Sequence, residues 1–402
     1  MADQPRTPPP APAGHPGNRL ARRIPPEPPA ELGHIRAGSA ASLLAGIPYL
    51  LGFEPASSMV VIGTWPCTGQ IMVMLRYDLP DPADPRDAAG LAAHATGILA
   101  DQHARSASAA GYGPARLVTP VAGALRTAAS RAGLEMRHIL RVQDNRYWSC
   151  TAAGHDDLAE GTPFGTARHL AAALLAGEGA QVLAGRDELA ATLAALGGQA
   201  GESMDRATRR AEQHAARLMT QAAGSGRQGQ GRRRLAGAGL DAIAQVIGRY
   251  RGSGRPVTSP EAAWLTVVLR DLRVRDDAWA RMDPAHRAAH QRLWTDLTRR
   301  ARPGYVPGPA SLLAFTAWQS GNGALANVAL DRALADDPQY SMAMLLRQVI
   351  TSGAPPSLAR LPMTPEEVAA SYEKQEDEAG NHPGSGSPGG LPHPAAGAPD
   401  PD

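Results

Sequence analysis

The sequence predicts an α/β (α+β) amino-terminal domain with a mixed sheet and helices, followed by an all-α carboxy-terminal helical domain, with disordered Pro/Gly-rich tails at both ends. Three observations carry that expectation. Short β-branched or alternating runs occur only before about residue 151, and helical periodicity dominates from Gly165 onward. Residues 1–34 and the end of the chain, from about Glu376, are rich in Pro, Gly, Ala and small polar residues and cannot bury enough apolar surface to offset chain entropy. The expected organisation is a tail over 1–34, an α/β domain over 35–200 and a helical domain over 201–352. A short helix and a second tail follow over 353–402.

Element by element, Ser39 can cap a short helix that runs to Leu44, where Gly46 and Pro48 stop it. Met59–Ile62 and Gln70–Leu79 read as a β-hairpin around residues 66–69. Helical composition spans Ala88–Ala110. Arg116–Val121 then reads as a strand, Ala122–Ala132 as a helix closed by Gly133, and Met136–Val142 as a strand turning at Asp144-Asn145 into Arg146–Thr151. Gln181–Leu183 could add one short strand. Helices fit Ala167–Leu175, Arg186–Leu196 and Ser203–Ala222, and beyond a basic Gly-rich loop over residues 224–234, Ala236–Tyr250, Pro260–Leu272 and Pro284–Arg300. Three closing helices, Leu312–Ser320, Ala324–Ala335 and Tyr340–Ile350, are separated by such short loops that antiparallel packing follows.

Composition narrows the function. Of the 402 residues 43% are hydrophobic but only 4% aromatic, so Ala, Leu and Val must build the core and elements must approach closely. Forty basic against 38 acidic residues leave a net charge of +2, too small a field to select nucleic acid or anionic lipid. Lys374 is the one lysine, which excludes a P-loop ATPase or GTPase. Two cysteines, Cys67 and Cys150, exclude a four-cysteine zinc site and fit a reducing compartment. The most apolar segment, Leu43–Phe53, is too short to span a bilayer and the amino terminus has no apolar core of a secretory signal, so a cytoplasmic location is expected.

Each chemical candidate has a plain structural alternative. Gly224, Gly226 and Gly229 have dinucleotide spacing, but a helix rather than a strand precedes them, so a flexible linker is expected. His286 and His290 stand four apart on a helix near Asp283, yet Arg287 occupies the position of a zinc protease's glutamate, and two solvated histidines are expected. Cys150 with His155, Asp156 and Asp157 matches no standard metal spacing, and Cys150 reads as a small core residue. No metal and no cofactor is therefore expected. Arg232, Arg233 and Arg234, with Arg227, form the densest basic cluster, without the interleaved aromatics that base stacking requires.

One constellation remains as a ligand-site candidate. Arg76 and Asp78 end a strand, where α/β proteins line crevices, and Trp148 and Glu160 come from the second hairpin and its following loop. An arginine there can hold an anion and a carboxylate can act as a base. The alternative for Arg76 and Asp78 is a mutual ion pair, since positions i and i+2 share a strand face.

Several phrases together resemble a known family: residues 42–58 (Ser-Leu-Leu-Ala-Gly-Ile-Pro-Tyr-Leu-Leu-Gly-Phe-Glu-Pro-Ala-Ser-Ser), Arg76–Pro80, Arg146–Ser149, Glu160–Pro163 and Ala324–Ala333. The chain resembles the actinobacterial domain-of-unknown-function 4192 family between about Ile35 and Ile350. That resemblance implies a GC-rich bacterial source and no established activity. Relatives often carry paired cysteines between the Trp-Ser and Glu-Gly-Thr-Pro phrases; residues 151–159 here hold none. The expectation is a non-enzymatic cytoplasmic binding or scaffold module with a protein partner. The alternative is a small-ligand binder or enzyme with its site at the strand ends, and third comes nucleic-acid binding through the basic loop, with nucleic acid the least expected partner and membrane excluded.

Overall fold

A computed structural model of the chain describes residues 39–65, 70–81, 84–150, 160–176, 182–220, 228–354, 356 and 363–381. The elements of the first half are α1 (Ala40–Leu51), β1 (Ser58–Thr64), β2 (Ile71–Asp78), α2 (Pro85–Asp101), β3 (Ser106–Tyr112), α3 (Ala115–Arg131), β4 (Glu135–Gln143), β5 (Arg146–Ser149), β6 (Thr162–Pro163), α4 (Gly165–Ala176) and α5 (Arg186–Thr192). Helices follow: α6 (Gly198–Thr220), α7 (Gln228–Gly252), α8 (Ser259–Val268), α9 (Leu272–Ala280), α10 (Arg287–Arg300), α11 (Pro307–Gln319), α12 (Gly323–Asp336), α13 (Ser341–Thr351) and α14 (Pro365–Asn381). A mixed sheet with helices therefore precedes a helical region.

The six strands form one sheet in the order β2-β1-β3-β4-β5-β6. β1 pairs antiparallel with β2 on one side and β3 on the other, while β3 and β4 are parallel and joined through α3. Pleating sends alternate residues to opposite faces. Met59, Val61, Ala109 and Ile139 meet α2 and α3 on one face. Val60, Ile62, Ala110 and Leu140 meet α1 on the other, in a cluster that continues through the carboxy-terminal helices to Trp294 and Leu346. The sheet is thus sandwiched between an α2–α3 layer and a thick helical layer. In the latter, α11 is buried all round from Pro307 to Trp318, as suits a helix apolar on every side.

Four differences from the sequence expectations have physical causes. α1 does not stop at Leu44 but runs through Gly46 and Pro48 to Leu51, because burial of Leu43, Leu44, Ile47 and Leu51 outweighs the lost backbone donor; Gly52, at φ 79°, ends it in the left-handed region. Residues 106–112 are not the end of a helix but the central strand β3. Its Ser-Ala-Ser-Ala-Ala-Gly-Tyr sequence lacks β-branched residues, and small side chains are what the tight layer demands. Arg116–Val121, expected as a strand, lies in α3, where Leu117, Val118, Val121, Ala122 and Leu125 make one buried helical face.

The basic loop is the fourth. Its residues 228–234 are the first turns of α7, and Gly231 sits where a β-carbon would lie 2.4 Å from the Met219 carbonyl oxygen, so the glycine serves a close approach to the end of α6. Gly224, Gly226 and Arg227 lie outside the described residues, as do Cys67, His155, Asp156, Asp157 and both expected tails apart from the segment to Asn381, which is the end of α14. Of the short strand at 181–183, Leu183 forms a parallel bridge with Phe53.

Candidate functional site

β2 is the terminal strand of the sheet, and among the described residues no strand pairs with its outer edge. Against that edge lies a groove of about 370 Å³. Every residue from Met72 to Asp78 lines it. Val73, Leu75 and Tyr77 belong to the α2–α3 face, whereas Met74 and Arg76 belong to the opposite one. A cavity can touch both sets only by running along the strand's edge. The six steps from Met72 to Asp78, at about 3.4 Å each, make that run about 20 Å long.

Two walls rise from opposite faces of the sheet. On one side α2 supplies His94, Ile98 and Gln102. His94 Nδ1 lies 3.0 Å from the Tyr77 hydroxyl, with the rings edge to face. Burial pushes the Tyr77 pKa up to about 12, so the phenol keeps its proton at neutral pH and can donate to an unprotonated Nδ1. The other wall comes from α5, α11, α12 and α13 and carries Arg186, Trp318, Asn327, Arg347 and Ile350. Its rim returns to α2 at residue 353: Gln102 Nε2 donates to the Gly353 carbonyl at 3.2 Å, and a β-carbon on Gly353 would lie 2.2 Å from Ile98. Only glycine fits there, at φ 72°.

Charge is unevenly placed in this groove. Arg76 is paired to Asp78 at 2.7 Å and lies over the Phe53 ring, 5.7 Å from its centre. Arg186 and Arg347 share one carboxylate, that of Asp331 on α12, with Arg347 Nη2 at 2.6 Å. The lining residues thus include three guanidiniums against one carboxylate, and Asp331 behind them makes two. Their positive excess is held in place by two helices and a strand, α5, α13 and β2, rather than by a flexible tail.

The four residues expected at a strand-end site do not form one. Arg76 and Asp78 come together as the ion pair that their i, i+2 spacing allows. Trp148 on β5 is four strand positions away, about 19 Å at the usual strand spacing, and faces the α2–α3 layer, because it pairs with Arg141 rather than with Val142. There the Arg141 guanidinium stacks over its ring at 3.6 Å, and Gly161 packs so closely that a β-carbon would lie 2.6 Å from the indole. Glu160 is exposed beside that ring, and its carbonyl, not its carboxylate, is bound by Arg146 at 2.6 Å. Arg76 and Asp78 therefore remain with the groove while Trp148 and Glu160 belong to the hairpin.

The remaining candidates resolve into structure. His286 is exposed and bound to Asp283 at 2.7 Å, but His290 is buried rather than solvated, with the Arg251 guanidinium 3.2 Å from its Nε2. A fixed cation at that distance opposes a metal ion, and no group of three metal-ligating residues occurs among the described residues. Cys150 is buried in the core on the α2–α3 face of the sheet. Arg232 reaches Asp271 at 3.6 Å from the first turns of α7. No described helix is long and apolar enough to cross a membrane.

Sequence reasoning missed Arg186, Trp318, Asp331 and Arg347. Each sits on a helix whose local pattern is ordinary, and only the packing of α5, α11, α12 and α13 on one another brings them to one groove beside β2. A model of a known family matches residues 41–357, close to the full span from α1 to the groove rim. The chain belongs to the family described as domain of unknown function 4192. That family segment includes the sheet, the groove and every residue named in it, while α14 lies beyond its end. No curated protein and no solved structure matches the chain.

Proposed function

We propose that this protein is a cytoplasmic, non-enzymatic binding module that takes a short extended segment of a partner protein along the outer edge of β2. The observation that carries this reading is the shape of the groove. It lies, from Met72 to Asp78, along a strand edge that no described strand pairs with, is lined by residues of both sheet faces, and has its two walls joined at the Gln102–Gly353 contact. An extended chain laid there gains main-chain hydrogen bonds from β2, and its alternate side chains enter the two walls.

A second reading, a small-ligand site in the same groove, rests on its volume, which lies near the lower end of the range for ligand pockets. Selection from a random peptide library separates the two. Ala324 lines the groove near the start of α12, half-buried against the core, and Ala324→Trp fills the channel, with the melting temperature of the variant reporting that the fold is kept. Peptides that enrich on the wild type and lose affinity on Ala324→Trp support the strand-addition reading. A library that yields nothing, or peptides indifferent to the substitution, overturns it, and a metabolite thermal-shift hit lost on the same substitution would favour the small ligand.

A further inference from the structure

We propose that the segment taken by this groove carries acidic side chains at alternate positions, and that Arg186 and Arg347 read them while Asp331 holds their place in the empty groove. The inference rests on the strand-addition reading above and adds the chemistry of the partner.

Three observations carry it. First, the cationic residues are confined to one wall. Arg76 belongs to the sheet face that meets Phe53, and Arg186, Asp331 and Arg347 come from helices packed against that same face. The α2 wall offers His94, Tyr77 and Gln102 instead, which form hydrogen bonds among themselves and to Gly353. Because side chains of an added strand alternate between the walls, a period of two follows for the partner: acid toward the arginines, apolar or neutral polar toward α2.

Second, the arginines are under-neutralised. One carboxylate serves two guanidiniums, at 2.6 Å for Arg347, and the three side chains remain 32 to 45% exposed, so an incoming group can reach them. Third, the hydrogen-bonding of Arg347 is incomplete. Beyond its bond to Asp331, Arg347 makes one long 3.5 Å contact, to the Asn327 carbonyl. Guanidinium presents a planar fork that matches a carboxylate with two parallel bonds. An arriving glutamate or aspartate side chain would take one fork and leave Asp331 to the other, restoring one carboxylate per cation. A cationic partner would instead meet two guanidiniums and be rejected.

The test uses the full chain and two fluorescein-labelled octapeptides of alternating sequence. One has valine at even positions and threonine at odd ones except for glutamate at the third and fifth; the other carries glutamine at those two. Binding is read by fluorescence anisotropy at low and high salt. The glutamate peptide is expected to bind at least about fivefold tighter at low salt, with the advantage shrinking as salt screens it. Arg347→Gln should erase the difference. Asp331→Asn should enlarge it, a gain that a misfolded variant cannot mimic. Equal binding of both peptides, unchanged by either substitution, overturns the acidic specificity and leaves the strand-addition reading standing. Binding of neither peptide to the wild type counts against both.

Discussion

Gly111 on β3 faces Val118 on α3 so closely that a β-carbon would lie 2.4 Å from the valine Cγ1 and 2.9 Å from the Met59 methyl. The contact sets the spacing between the central strand and its covering helix. Gly111→Ala should therefore force α3 outward and destabilise the fold by about 1–3 kcal/mol, the usual cost of overpacking a tight core. Urea denaturation of the two proteins measures this, and an unchanged midpoint would mean the layer relaxes freely.

The same strand shows where the sequence was silent. β1 and β4 announce themselves through Met59-Val-Val-Ile62 and Ile139-Leu140, but β3 is Ser, Ala and Gly, and its strand character comes from the neighbours on both sides of it. Helical composition at 106–110 and β-branched valines at 118 and 121 inverted the local signals, and tertiary packing overrode both. The hairpin of β1 and β2, the β4–β5 turn and the helical second half were legible because their patterns are local. The groove was only half legible: Arg76 and Asp78 stand out at a strand end, whereas Arg186 and Arg347 lie 110 and more residues further along the chain and meet only through Asp331.

Asp276 is fully buried on α9, held by Arg275 Nε at 2.8 Å and by the Tyr372 hydroxyl of α14 at 2.6 Å. Burial, reinforced by that carboxylate, raises the Tyr372 pKa, so the phenol stays a donor. Tyr372→Phe should cost about 1–3 kcal/mol by leaving a carboxylate oxygen unsatisfied, and Asp276→Asn about 3–5 kcal/mol by stranding the buried guanidinium of Arg275. Paired denaturation curves check the order, and an Asp276→Asn protein as stable as wild type would refute it.

His290 ties stability to pH. Burial, with Arg251 and His286 adding to it against an opposing pull from Asp283, lowers its pKa to about 4 from the ordinary 6.5. Between those values the unfolded chain binds the proton and the folded one does not, so stability is complete above about pH 6.5 and falls as pH drops toward 4. The loss should be on the order of 2–3 kcal/mol. His290→Gln keeps a hydrogen-bond acceptor and cannot titrate; its melting temperature should fall less steeply over that interval. Parallel slopes in the two proteins would assign the acid sensitivity elsewhere.

Glu261 adds a second acid-sensitive contact. Its carboxylate accepts from Arg249 at 2.7 Å and from the Thr258 backbone at 2.8 Å, closing the capping box of α8, and these bonds lower its pKa to about 2. Its contribution is present above about pH 4.3 and is lost as pH falls toward 2. Glu261→Gln should lower stability at pH 7 while leaving it nearly unchanged near pH 2. An equal loss at both pH values would show that packing, not charge, is what the residue supplies.

The strand-addition reading is tested most directly by amide hydrogen exchange along β2 with and without the glutamate octapeptide. Pairing of an added strand should slow exchange at alternate amides from Met72 to Asp78, those whose N–H points away from β1, while β4 in the sheet interior stays unchanged. A peptide that binds and leaves every β2 amide exchanging at its original rate would contradict it.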